Sequence, residues 1–179
     1  MLGLLLSAAL ALPTSERPTF TEADIAAATA CADGPNGGSC APFTARAGVD
    51  QCMTGLPPGT TGAAFSDCIE EITHRCVQRW TVTGDAMDRR VVIICSEQTR
   101  AAVRGGIDDW YVRVAPRIPA QTLTQYRDLE KDIPARVARE RAQITDGPTA
   151  ASARAGATLG VWASLARFFW DQERQRFPA

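Results

Sequence analysis

The amino-acid sequence predicts an all-α chain, an up-down bundle of about four helices that carries a disulfide-stapled, loop-rich N-terminal extension. Three observations predict it. From about residue 61 onward apolar side chains recur at spacings of three and four, the period of helices that bury one face, and no stretch alternates as a half-buried strand does. Prolines and glycines fall between these segments, so the links are short and neighbouring helices run antiparallel. The six cysteines, at 31, 40, 52, 68, 76 and 95, all lie in the first part of the 179-residue chain, and an even count suggests three disulfides in an oxidising compartment.

With 45% apolar and 22% charged residues, the chain can bury one sizeable core. Its formal charge of -1 gives no basic excess of the kind that phosphate backbones attract, so nucleic acid is not an expected partner. Leu2 to Leu12 is an almost unbroken apolar run that contains Ala9-Leu10-Ala11. It is far shorter than the roughly 20 residues of a membrane span, and the small residues fit a cleavage site. Residues 1–11 therefore read as a signal peptide, 12–60 as the cysteine-rich extension with one short helix, and 61–179 as the helical domain. The expected product is periplasmic or secreted, with no membrane span in the mature chain.

The elements follow in order. Thr21 caps a short helix from about Glu22 to Cys31, with acids in its first turn. Asp33 to Ser39 holds residues that make turns, and Cys31 and Cys40 flank it, which pairs them. From there to Thr61 the sequence is loop-like, with Cys52 alone inside it; crosslinks are the physical means of ordering such a stretch. Thr61 or Ser66 caps the next helix, whose apolar positions are Phe65, Cys68, Ile69, Ile72, Cys76, Val77 and Trp80. The central helix starts near Thr83 and carries Val91, Cys95, Ala102, Ile107, Trp110, Tyr111 and Val114 on one stripe.

If these two helices are antiparallel, Cys68 lies 12 residues before the end of one and Cys95 about 12 after the cap of the next. At about 1.5 Å per residue both stand roughly 18 Å from the turn, so Cys68 with Cys95 is the preferred bridge, leaving Cys52 with Cys76. A boundary displaced by about two turns favours Cys76 with Cys95 instead.

Pro116 and Pro119 end the central helix. Leu123, Tyr126, Leu129, Ile133, Val137 and Ile144 mark a third amphipathic helix, which Pro134 kinks or splits, and Asp146-Gly147-Pro148 ends it. The last helix starts near Thr149, buries Ala155, Leu159, Trp162, Leu165 and Phe169, with Phe168 at the margin of that face, and trails off in a solvated tail from Asp171 to Arg176.

Little in this pattern points to catalysis. Nucleophilic triads need an imidazole, and the single histidine, His74, shares a helix with Cys68 and Cys76. Glu71-Ile72-Thr73-His74 is half of a di-iron step that requires a second histidine. Zinc held by Cys68, His74 and Cys76 would lack the compact Cys-x-x-Cys pairing of strong zinc sites. The expectation is no enzyme, no catalytic residue, no metal and no cofactor. Gly105-Gly106, inside a helical pattern, marks a close helix contact or a bend rather than a phosphate loop.

Asp67-Cys68, Cys76, the Thr83 to Met87 stretch, Cys95 and the Trp110-Tyr111 pair together resemble the LprI-type lysozyme inhibitor family. Arg136, the Gly147 turn and Leu159 to Arg167 extend the likeness, which covers about Asp67 to Phe169. Two late cysteines often present in that family are absent here, where Arg139 or Glu140 stands in one region and Leu159 in the other. The resemblance implies a small exported helical protein of the cell envelope that binds a protein partner, with lysozyme or another cell-wall hydrolase as the partner it would block. A second reading is a structural or assembly protein of the envelope with a protein partner and no inhibitory activity.

Overall fold

The computed structural model describes residues 19–34, 37–56, 62–80 and 88–177. The expected signal peptide, the Thr61 cap and the expected start of the central helix at Thr83 lie outside these residues. Among those described, the fold is all-helical, without a strand. Its helices are α1 (Glu22–Asp33), α2 (Gly37–Cys40), α3 (Phe43–Gly55), α4 (Gly62–Trp80), α5 (Arg89–Val114), α6 (Ala120–Lys131), α7 (Ile133–Ala142) and α8 (Ala150–Arg176), with a 3-10 turn at Ala115–Arg117. No described helix is long and apolar enough to cross a membrane.

The centre is α5. Val91, Ile94, Cys95, Ala101, Ala102, Val103, Ile107, Trp110 and Val114 are all buried along it, more of its circumference than one stripe would cover. The reason is that α1, α2, α3, α4 and α8 all pack against it. Its neighbours have opposite senses. The Cys76–Cys95 bond and the 3.1 Å hydrogen bond from Thr73 to Thr99 set α4 antiparallel to α5. The stack of Trp110 on Phe169 and the ion pair of Arg113 with Glu173 set α8 parallel to it, which requires the chain to return through α6 and α7. Those two helices lie against α8, where Tyr126 meets Gln172 and Arg154 reaches the Ile144 carbonyl.

The N-terminal part departs from the sequence expectation. In place of a loop-rich stretch with one helix, residues 43–55 form α3, and Gly37–Cys40 form a helical turn where only a turn was expected. Ala45, Val49, Cys52 and Met53 fall on one helical face and are buried. They join Ala32, Trp110, Leu159 and Phe169 in a single core, so α1 to α3 share the interior of the later helices. Pro134 splits the third helix: α6 ends at Lys131 and the proline enters the first turn of α7, where its missing N–H costs nothing. The tail after Asp171 is helical, with Glu173 paired to Arg113 and the Arg174 guanidinium over the Trp170 ring.

Candidate functional site

The site begins with how α3 and α4 are held together. Gly48 lets the helices close, since a Cβ there would stand 3.0 Å from the Ile72 side chain. One turn further on, Cys52 is bonded to Cys68, with Cα atoms 5.9 Å apart. At the other end of α4, Cys76 is bonded to Cys95 of α5, with Cα atoms 5.7 Å apart. Cys31 is bonded to Cys40, closing α1 onto α2.

Two expected bridges are thereby corrected: Cys68 does not pair with Cys95, nor Cys52 with Cys76. The helix boundary is the cause. Because α5 starts at Arg89 rather than near Thr83, Cys95 stands only 6 residues into the helix, about 9 Å, where it is level with Cys76 and not with Cys68. Cys68 then turns to α3, a helix that the sequence reading treated as loop.

Between these staples lies a groove of about 560 Å³. One wall is α3, with Thr44, Gly48, Gln51 and Gly55 on successive turns; the other is α4, with Glu71, Ile72, Arg75, Arg79 and Trp80. Gln98 and Thr99 of α5 supply its floor. Thr99 is fixed there, accepting from Thr73 and donating to the Cys95 carbonyl at 2.9 Å. Phe20 meets the Trp80 ring edge-on with centroids 5.4 Å apart, yet Trp80 remains 44% exposed. That exposure departs from the sequence reading, which placed Trp80 on the buried face.

The charges of the groove are arranged unequally. Arg75 donates from Nε to Glu71 at 2.7 Å, and this bond holds the Glu71 carboxyl below its ordinary range, so the acid is spent on its neighbour. Arg79 makes no ion pair with any described residue. His74 lies close to Glu71, at 3.7 Å, on an exposed part of α4. Its zinc reading loses both sulfur ligands, because Cys68 and Cys76 are tied up in disulfides.

Two other clusters are architectural. Arg100, 4% exposed, pairs with buried Glu97 and reaches Asp33 at 2.6 Å, while Arg104 donates to the Ala32 carbonyl. The end of α1, which has no base in its own last turn, thus receives two cations from α5. Trp110 of the family-like pair is 1% exposed and stacks on Phe169 at 4.7 Å. Tyr111 meets Phe169 edge-on, and burial together with the Glu130 carboxylate pushes its hydroxyl pKa up, away from any acid–base role near neutrality. This pair fastens α5 to α8 and opens no site. Gly105, half of the glycine pair, is the close contact that the sequence suggested: it meets Gly38 of α2 backbone to backbone.

No family model, curated protein or solved structure matches the chain. The groove therefore stands on its own geometry. Its α3 wall was hidden from the sequence reading, although Ala45, Val49, Cys52 and Met53 on the buried face of that helix recur at the helical period.

Proposed function

We propose that this chain is an exported, periplasmic or secreted, helical binding protein whose α3–α4 groove receives part of a protein partner, and that the partner is a lysozyme or another cell-wall hydrolase. The observation that supports binding is the groove itself. Both walls are locked by disulfides, one to the other and one to the floor, so little conformational entropy remains to be lost when a partner docks. Arg and Trp, the residue types that dominate binding hot spots, stand side by side on its edge as Arg79 and Trp80. The disulfides suit an oxidising compartment. The hydrolase is carried by the resemblance of Asp67 to Phe169 to the LprI-type family.

The test is a calorimetric titration of the oxidised chain against lysozymes of several classes, with cell-wall lysis followed in parallel. A saturable complex that slows lysis supports the reading. Failure to bind any class removes the hydrolase and leaves the envelope assembly protein, which co-purification from envelope extracts would then identify by its partner.

A further inference from the structure

The shape and polarity of the groove describe its occupant more closely than the family likeness does. Thr44 to Gly55 is eleven residue steps along the helix, roughly 16 Å, which is the length of about five residues of extended chain. Along that wall the side chains are small or amide: Ala45, Gly48, Gln51, Gly55. Gln51 makes no side-chain hydrogen bond among the described residues, and an amide can serve both the N–H and the C=O of a passing backbone.

The charge settles the chemistry further. With Glu71 engaged by Arg75, the lining carries one guanidinium without a described acceptor, that of Arg79. Arg79 also sits in the last turn of α4, where the helix dipole favours a cation, but that role leaves its N–H donors unfilled. A guanidinium fork is matched by a carboxylate, and the indole of Trp80 beside it offers an apolar face. A neutral sugar would use the indole and leave the fork empty; an inorganic anion would use the fork and leave most of the 560 Å³ unfilled.

We infer that the groove holds an extended segment of a protein partner in which an aspartate or glutamate adjoins an apolar residue, with the carboxylate on Arg79 and the apolar side chain on Trp80. This rests on the binding-protein reading and not on the partner being a hydrolase.

The probe is a displayed library of random octapeptides, selected on the immobilised, oxidised full chain. Enriched sequences should share an acidic residue next to an apolar one. A synthesised winner should bind at least about tenfold more weakly to Arg79→Gln, and equally so when its own carboxylate is replaced by the amide, since one charge-assisted pair is lost either way. Arg79 is exposed, so the melting temperature of the variant should match that of the parent. No enrichment over a protein-free control, enrichment without an acidic bias, or equal binding by Arg79→Gln would overturn the inference. So would displacement of the peptide by a neutral N-acetylglucosamine oligosaccharide that binds Arg79→Gln as well as the parent. The two proposals fail separately. A hydrolase complex untouched by Arg79→Gln refutes the groove assignment alone, and acidic peptides selected by a chain that binds no hydrolase refute the hydrolase alone.

Discussion

At the scale of single residues, Gly38 and Gly105 make a close backbone-to-backbone contact between α2 and α5. A Cβ on Gly105 would lie 2.6 Å from the Gly38 Cα, and backbone cannot swing aside as a side chain can. Gly105→Ala should therefore push α2 off α5 and cost about 1–3 kcal/mol, despite the helix propensity gained. At Gly106 the nearest atom is the Met53 sulfur at 2.8 Å, on a flexible side chain, so Gly106→Ala should cost less. Gly160 meets nothing within 4 Å, and Gly160→Ala should stabilise by up to about 1 kcal/mol. Denaturant midpoints of the three variants would order them; equal effects at 105 and 160 would show that the crossing is not tight. The buried pair of Arg100 with Glu97 gives a second contrast. Arg100→Met leaves the Glu97 carboxylate buried without its cation and should cost about 3–5 kcal/mol, whereas Asp33→Asn touches a 63% exposed side chain and should cost under about 1 kcal/mol. Replacing Glu97 and Arg100 together by apolar residues should recover most of the loss, which a double-mutant cycle would read.

At the scale of elements, helix ends decided both the fold and what could be foreseen of it. The α1 start was legible because Thr21 and Asp24 make a reciprocal capping box, a signal carried by four adjacent residues. The α5 start was not, because by residue type Thr83 and Asp88 are equally good caps, and it is Asp88 that caps the helix with a bond from the Arg90 N–H. That displacement alone misplaced two disulfides. Residues 43–55 went unread as a helix because glycine and threonine weaken local propensity, and packing on α5 with the Cys52–Cys68 bond overrides it. The groove was illegible for the same reason, since half of it is α3. The caps also carry a pH dependence. The Arg90 N–H and the Thr21 bonds lower the Asp88 and Asp24 pKa values, and a lowered folded pKa gives stability that is present above the ordinary aspartate range and lost as pH falls through the folded value. Asp88→Ala should accordingly cost about 1 kcal/mol near neutral pH, and its difference from the parent should shrink as the pH falls below the ordinary aspartate range. A gap that stays constant over that span would show that the carboxylate charge plays no part.

For the molecule as a whole, the staples are distributed unevenly. All three disulfides lie between Cys31 and Cys95, whereas the second half of the chain is held without a crosslink, by packing, hydrogen bonds and ion pairs such as that of Arg113 with Glu173. That packing is extensive: Trp110, Tyr126 and Phe169 form one aromatic cluster, and Phe65 of α4 reaches Trp170 of α8. The parallel arrangement of α5 and α8 is thus secured without a crosslink, by a buried surface that reduction does not touch. Helices α1 to α4 are different, because α3 is short and poor in helix formers, and α1 has few buried side chains beyond Ala32. Closing the loops of 16 and 19 residues is worth about 3 kcal/mol each on the chain-entropy account. Reduction should therefore loosen the first half while α5 to α8 stay folded. Limited proteolysis of the reduced protein should cut first between residues 31 and 76 and leave a resistant fragment that begins near α5, and the reduced protein should lose the α3–α4 groove before it loses most of its helicity. Uniform digestion, with the α8 segment cut as fast as α3, would show instead that one cooperative unit spans the chain and that the disulfides stabilise all of it.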